Sequence, residues 1–211
     1  MNNTVEYYSL PRREVFQLIK GQPSNILECG CGFGELGKHI KNSWPCTLSG
    51  VELNPKAGEF LNDVYDKYFI ADVETFDASV VNETFDCIIY ADVLEHLRDP
   101  ERVIKEHIKF LRKEGQVIIS IPNIRNLKVI ADLLVKGEWN YGDSGILDRT
   151  HYKFFTLKSL KELLRKCGLE IETISSNKDE FKGLKKTASL LPYFFIPELK
   201  VCQWLIRARK V

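Results

Sequence analysis

No run of apolar residues in this chain approaches the length of a membrane-spanning helix, so a spanning protein is not expected. The opening stretch MNNTVEYYSLPRREVF has no apolar core, and no secretory signal is expected. Charge of one sign is not in excess. The net charge is +1 over 211 residues, which argues against a surface built to neutralise many phosphates, and no nucleic-acid partner is expected. The six cysteines, Cys29, Cys31, Cys46, Cys87, Cys167 and Cys202, form no Cys-x-x-Cys pair. A chain of this length buries a core without disulfide staples, so reduced thiols in a cytoplasmic protein are the expectation. No group of histidines and acids shows metal-ligand spacing, and metal-independent chemistry is expected. Repeats, low-complexity segments and composition breaks are missing too, so residues 1–211 read as a single domain.

What is present is an alternation. Hydrophobic residues make up 44% of the chain and charged residues 28%, a globular balance. Strand-like segments run over Asn25–Cys29, Thr47–Glu52, Tyr68–Ala71, Phe85–Ala91, Gln116–Ile121, Leu169–Ile174 and Val201–Ala208. Helical patterns begin at Glu35 and cover Pro55–Val64, Glu101–Arg112, Asn126–Lys136 and Thr156–Cys167, the last with Thr156 as N-cap and Gly168 past its end. This order implies an α/β fold, a mainly parallel seven-stranded sheet with helices on both faces. Residues 124–155 read as an insertion, a lid or substrate loop, rich in polar and aromatic groups.

The stretch ILECGCGFGELG places four glycines within eight residues directly after the first strand. Gly32 to Gly37 is a formal G-x-G-x-x-G, and Glu52 ends the next strand where a ribose-binding acid belongs, so a nicotinamide-dependent oxidoreductase is a real rival reading. Three features point elsewhere. Glu28 precedes the glycines and would repel a pyrophosphate. The spacing also reads Glu28-x-Gly30-x-Gly32-x-Gly34. Acids end three successive strands, at Glu28, Glu52 and Asp72, and in a parallel sheet those ends share the ligand-binding edge. Such a site suits a ligand carrying amino, sulfonium and ribose groups better than a diphosphate.

These segments resemble the class I S-adenosylmethionine-dependent methyltransferases. ILECGCGFG resembles their first motif, GVELNP the second, IADVE the third and FDCIIYADVLEHLRDP the fourth, while LRKEGQVIISIPN is similar to their fifth-strand segment. LDRTHYKFFTLKSLKELLRKCGLEI looks like the segment that follows the core in the branch holding ubiquinone-biosynthesis and polysaccharide-cluster methyltransferases. The resemblance implies a Rossmann-like three-layer fold and S-adenosyl-L-methionine as cofactor, with S-adenosyl-L-homocysteine as product. It assigns the glycine turn, Gly30, Cys31, Gly32 and Gly34, to close backbone approach, and Glu28 to the methionine end of the cofactor. Glu52 would accept from both ribose hydroxyls, with Leu53 beside it. Asp72 would meet the adenine amino group, with Val73 beside the ring, and Asp92 and Val93 would line the methyl-transfer face.

For catalysis, His96 and His151 are the two candidate bases. Each has a plain structural alternative, packing on the sheet for His96 and pinning the loop for His151. The expected reaction is methyl transfer to a small-molecule acceptor, a hydroxyl of a saccharide or a related or lipid-linked metabolite. The aromatic residues Trp139, Tyr141, Tyr152, Phe154 and Phe155 crowd the insertion. Residues 181–199 combine lysines with an apolar aromatic run that either covers the core or touches a membrane surface. A non-catalytic cofactor-binding protein of the same fold stays open alongside the oxidoreductase.

Overall fold

The computed structural model describes residues 12–178 and 196–211. The segment expected to cover the core, 181–199, lies outside the described residues apart from its end at 196–199.

Seven strands form one sheet in the order β3-β2-β1-β4-β5-β7-β6. They are β1 (Asn25–Cys29), β2 (Thr47–Glu52), β3 (Lys67–Ile70), β4 (Phe85–Ala91), β5 (Leu111–Pro122), β6 (Leu169–Lys178) and β7 (Val201–Lys210). The first five pair in parallel, and β7 runs antiparallel between β5 and β6. The sheet is therefore the mainly parallel one that the alternation implies. Its order reverses between β1 and β4, which places a crevice at their carboxyl ends, where open α/β sheets bind ligands.

Burial explains why these strands read so clearly. Ile26, Leu27, Ile88, Ile89, Ile118 and Ile119 are wholly buried, with neighbours on both faces of the sheet. Each such side chain contributes about 1.5–3 kcal/mol.

The helices are α1 (Arg13–Phe16), α2 (Glu35–Ser43), α3 (Gly58–Leu61), α4 (Pro100–His107), α5 (Leu127–Ala131) and α6 (Leu157–Lys166). In α4, Asp99 accepts from the Arg102 N–H at 3.0 Å and Pro100 takes the first turn. In α6, Thr156 and Ser159 form a reciprocal capping box, and Gly168 follows at φ +74°. Among the described residues no helix is long and apolar enough to cross a membrane.

Three expected helices are shorter than their pattern. The segment from Pro55 is a 3-10 turn over Pro55–Ala57 followed by α3, and the chain then turns inward so that Tyr65 is buried. The segment to Arg112 stops at His107, because Leu111 already pairs with Phe85 as β5 begins. The segment to Lys136 is α5 followed by a π turn, Asp132–Lys136, that leaves Leu134 and Val135 exposed.

Candidate functional site

The glycine turn follows β1, and Gly30, Gly32 and Gly34 hold φ of +71°, +55° and +83°. A side chain is costly in that left-handed region. The backbone N–H groups of this turn are already engaged. Gly30 and Cys31 donate to the Val51 carbonyl, Gly34 donates to the Cys31 carbonyl, and Gly32 donates to Glu52 Oε2 at 2.9 Å. A pyrophosphate at a glycine turn requires free N–H donors. Here four are committed, and one is committed to a carboxylate that would repel phosphate. The oxidoreductase reading loses its main support.

Glu52 is buried at the end of β2, with both carboxylate oxygens held: Oε2 by Gly32 N–H and Oε1 by Asn54 N–H at 2.8 Å. Each oxygen keeps a further lone pair, so the group is oriented to accept two more hydrogen bonds side by side. A vicinal diol matches that pattern.

Glu28 lies one residue before the end of β1, 2% exposed, in register with Gly50 and Ile89. Its Oε2 accepts from Tyr65 Oη at 2.6 Å. Burial raises its pKa to about 8, against the lowering effect of the Tyr65 bond. Cys31 is buried in the same turn and its thiol is pushed well up by burial, which makes it inert.

Asp72 is exposed and makes a local turn. Its Oδ1 accepts from Glu74 N–H at 2.8 Å, and its carbonyl accepts from Thr75 and Phe76. The side chain thus closes a turn rather than capping a helix, since no helix follows it before Ala78. Val73 is buried beside it, while Leu53 stands 66% exposed. Ala71 N–H bonds the Glu52 carbonyl at 2.9 Å, which ties the Asp72 turn to the Glu52 end of β2.

Asp92, just past β4, has φ +56°, a strained conformation for a non-glycine residue. Arg12 forms an ion pair with it, Ser120 Oγ donates to its Oδ1 at 2.6 Å, and Gln203 Nε2 donates to the same oxygen. The sequence reading named none of these three partners. Val93 packs on the glycine turn so tightly that a Cβ at Gly30 would lie 2.4 Å from its Cγ2. Gly30 is therefore explained by Val93 as much as by any ligand. Leu94, next along, is core.

The two histidines meet. The rings of His96 and His151 are 4.7 Å apart, edge to face. Thr150 Oγ1 donates to Asp148 Oδ1 at 2.6 Å, so it accepts from His96 Nδ1 at 3.1 Å. His151 Nδ1 is 3.0 Å from the Ile146 carbonyl and must donate to it. With Nδ1 donating, the neutral form of either ring carries its lone pair on Nε2. Burial and the neighbouring His151 lower the pKa of His96, which keeps it neutral.

Glu95 completes the group. Its carbonyl accepts from Tyr152 and Lys153 at 2.8 and 3.0 Å, which anchors the insertion to the β4 end. Its carboxylate is fully buried with neither oxygen hydrogen-bonded, and burial together with the nearby Asp92 raises its pKa well above normal. One donor atom from each of Glu95, His96 and His151 lies within 4.8 Å of the others. Sequence spacing offered no metal-ligand set, because residues 96 and 151 meet only through the fold. The folded chain does assemble donors of the kind that hold a divalent cation.

The base of the insertion is closed by Ile124 N–H on the Phe155 carbonyl at 3.0 Å. Beyond it Trp139, Tyr141 and Tyr152 are exposed, with Phe154 against the first two.

Comparison with known proteins gives the same direction. A family model described as a methyltransferase domain matches residues 4–174. Norajmaline N-methyltransferase of Rauvolfia serpentina is 24% identical over 123 residues, covering 56% of this chain and 42% of that protein. A ubiquinone biosynthesis O-methyltransferase of Neisseria meningitidis is 26% identical over 155 residues, covering 69% of this chain and 63% of that protein. The chain thus spans about half the length of the curated relatives it matches. Among solved structures, a SAM-dependent methyltransferase from Archaeoglobus fulgidus superposes with a TM-score of 0.68 at 19% identity, over 98% of this chain and 94% of that one.

Proposed function

This chain belongs to the methyltransferase domain family, and on that premise we propose that it transfers the methyl group of S-adenosyl-L-methionine to a small-molecule hydroxyl, on a saccharide or related metabolite. The observation that carries the reading is Glu52, a buried carboxylate fixed by Gly32 and Asn54 N–H and oriented to accept a vicinal diol such as a ribose. Glu28, Gly30, Cys31, Gly32, Gly34 and Glu52 would hold the ribose and methionine end of the cofactor. Leu53, Asp72 and Val73 would hold the adenine, and Asp92 and Val93 would face the transferred methyl. The bound cofactor supplies an electrophilic methyl group on a sulfonium leaving group. The chain's own task is to align the acceptor, exclude water and remove a proton.

A hydroxyl acceptor is supported by the paired histidines. The Asp148–Thr150 bonds hold His96 Nδ1 as a donor, so its neutral ring offers the Nε2 lone pair to a proton. A carboxylate acceptor would need no such base. The saccharide is supported by the exposed Trp139, Tyr141 and Tyr152, whose ring faces can stack on a sugar. The exposed Leu134 and Val135 of the same insertion would suit a lipid-linked form.

A second reading is favoured by Glu95. Its two unpartnered oxygens beside His96 and His151 would hold a divalent cation that binds the acceptor hydroxyl and makes it more acidic.

Calorimetric titration with S-adenosyl-L-homocysteine, with NADH as control, tests the cofactor. Micromolar binding of the first and none of the second is expected. A screen of nucleotide sugars and polyprenol-linked glycans for methyl transfer then tests the acceptor. Binding without turnover on any acceptor would favour the non-catalytic alternative. Activity that is lost on dialysis against EDTA and restored by Mg²⁺, Mn²⁺ or Zn²⁺ selects the cation reading; insensitivity to EDTA selects the histidine base.

A further inference from the structure

Two short segments lie side by side at the histidine pair. Leu97, between His96 and Arg98, has extended backbone (φ −88°, ψ 143°) and is buried. Successive side chains of extended backbone point to opposite sides, so His96 and Arg98 share the outer side, with Cα atoms roughly 7 Å apart. The facing segment, 150–153, docks on the Glu95 carbonyl through the Tyr152 and Lys153 N–H groups. It makes two successive contacts with the first. His151 meets His96, ring to ring at 4.7 Å, and Tyr152 lies under Arg98, whose guanidinium carbon is 5.1 Å from the ring centre.

Arg98 and Lys153 are exposed, and among the described residues neither forms an ion pair. The acids of the same segments are engaged elsewhere. Asp99 caps α4 through Arg102 N–H at 3.0 Å, Asp148 accepts from Thr150 Oγ1 at 2.6 Å, and Asp143 pairs with Arg149 at 2.7 Å. The Glu95 carboxyl is fully buried, and burial favours its neutral form. An arginine at that distance from an aromatic ring is held by the ring's charge distribution. Its N–H fork, with no acceptor among the described residues, keeps the geometry that grips a phosphate through two hydrogen bonds.

We propose that Arg98, seated on Tyr152, is an anion clamp for the acceptor and takes a phosphate group carried beyond the hydroxyl that faces His96. Lys153 adds a second positive charge next to Tyr152. The inference rests on the methyl-transfer reading above and narrows its substrate class to a phosphate-bearing hydroxyl compound. One sugar ring with a phosphate substituent covers the span between the two side chains. A nucleotide sugar and a polyprenyl phosphate share this chemistry, and the aromatic faces of Trp139 and Tyr141 are open to either.

The test is NMR titration of protein labelled at its arginine side chains, with S-adenosyl-L-homocysteine present to fill the cofactor crevice. The probes are glucose, glucose 1-phosphate, UDP-glucose and a short polyprenyl phosphate in detergent micelles. Glucose 1-phosphate is expected to bind at least about tenfold more tightly than glucose and to move the Arg98 Nε–H signal. That gap narrows as salt rises from about 50 to about 300 mM. Tighter binding of UDP-glucose than of the polyprenyl phosphate assigns the clamp to a soluble nucleotide sugar, and the reverse order assigns it to a lipid-linked one. Arg98→Ala closes the gap while leaving glucose binding and the Tm as in wild type. Arg98→Gln keeps a long side chain on the ring without the charge, and it decides the matter if Arg98→Ala loses stability. Equal binding of glucose and glucose 1-phosphate, binding of neither, or a gap that survives Arg98→Gln overturns the clamp. With S-adenosyl-L-homocysteine still bound, the methyl-transfer reading then stands. No binding of S-adenosyl-L-homocysteine overturns both.

Discussion

On the β1–β2 side of the sheet's carboxyl edge, nearly every polar group around the glycine turn is buried and partnered within the protein. Glu52 has both oxygens held, and Glu28 has Tyr65. Across the edge, residues 124–155 are built the other way. Their base is stitched to the sheet at Phe155 and Glu95, but Trp139, Tyr141, Tyr152, Leu134 and Val135 face outward. One side has its polar groups fixed by the protein's own hydrogen bonds; the other offers aromatic faces from a segment tied to the sheet at its base. A site for one fixed ligand gains from preorganisation, whereas a site for a variable acceptor belongs on loops. The histidine pair lies at the boundary, with His96 contributed by the sheet side and His151 by the insertion.

The strongest way to break this division is at that boundary. His96→Ala is expected to lower kcat by about 10²–10⁴-fold on any acceptor the screen returns, the usual worth of a general base. Calorimetry should find S-adenosyl-L-homocysteine bound as in wild type. Weakened cofactor binding in that variant would mean the two sides are one site. Glu52→Ala is the reciprocal change. Loss of two charge-assisted bonds, each about 1.5–3 kcal/mol, predicts an affinity for S-adenosyl-L-homocysteine lower by at least about 100-fold.

Stability should divide the molecule in the same way. Gly30→Ala forces a side chain to φ +71° and to 2.4 Å from Val93 Cγ2. Strain and overpacking together predict a loss of about 2–4 kcal/mol in urea unfolding. Gly145→Ala, at φ +88° in the insertion, meets nothing within 4 Å and should cost only the backbone strain, about 1–2 kcal/mol. Equal losses would say that the insertion is packed as firmly as the turn. Glu28 adds a pH signature. Its folded pKa, about 8, lies above the ordinary value of 4.5, so the folded protein binds the extra proton between those limits. Stability then falls as pH rises through that range. Glu28→Gln should raise the Tm of the ligand-free protein, and by more at pH 8 than at pH 5.

The sheet was legible because its strands are doubly buried. FDCIIYA and QVIISI stand out in any reading, and the seven strands fall where the apolar runs place them. The first part of β5, Leu111–Gly115, was not legible, since LRKEG is charged and joins the sheet only by pairing across Phe85. Helix ends were set by tertiary needs that no periodicity carries: the inward turn to Tyr65, and the early start of β5. The acids and glycines of the site could be named because motif spacing is local. Their partners could not. Tyr65, Arg12, Ser120 and Gln203 reach Glu28 and Asp92 from distant positions in the chain. Gly50 inside a strand and Gly37 inside a helix, where a Cβ would meet Tyr65, were the available signals, since interior glycines mark a close approach. The Glu95–His96–His151 group likewise exists only once Tyr152 and Lys153 dock on the Glu95 carbonyl.

The smallest expected effect sharpens the comparison most, because it must leave one side silent. Trp139 is 37% exposed and touches the rest of the protein through the edge of Phe154. It belongs to neither of the two buried core clusters. An aromatic contact with an acceptor ring is worth about 0.5–1.5 kcal/mol, so Trp139→Ala should raise the acceptor KM about 2–10-fold. The Kd for S-adenosyl-L-homocysteine and the Tm should match wild type. A change in KM with both of those fixed places acceptor recognition on the insertion. A fall in Tm of several degrees would instead make Trp139 part of the packing that holds residues 124–155 against the sheet, and the outward-facing aromatics would then be a cover for the core rather than a binding surface.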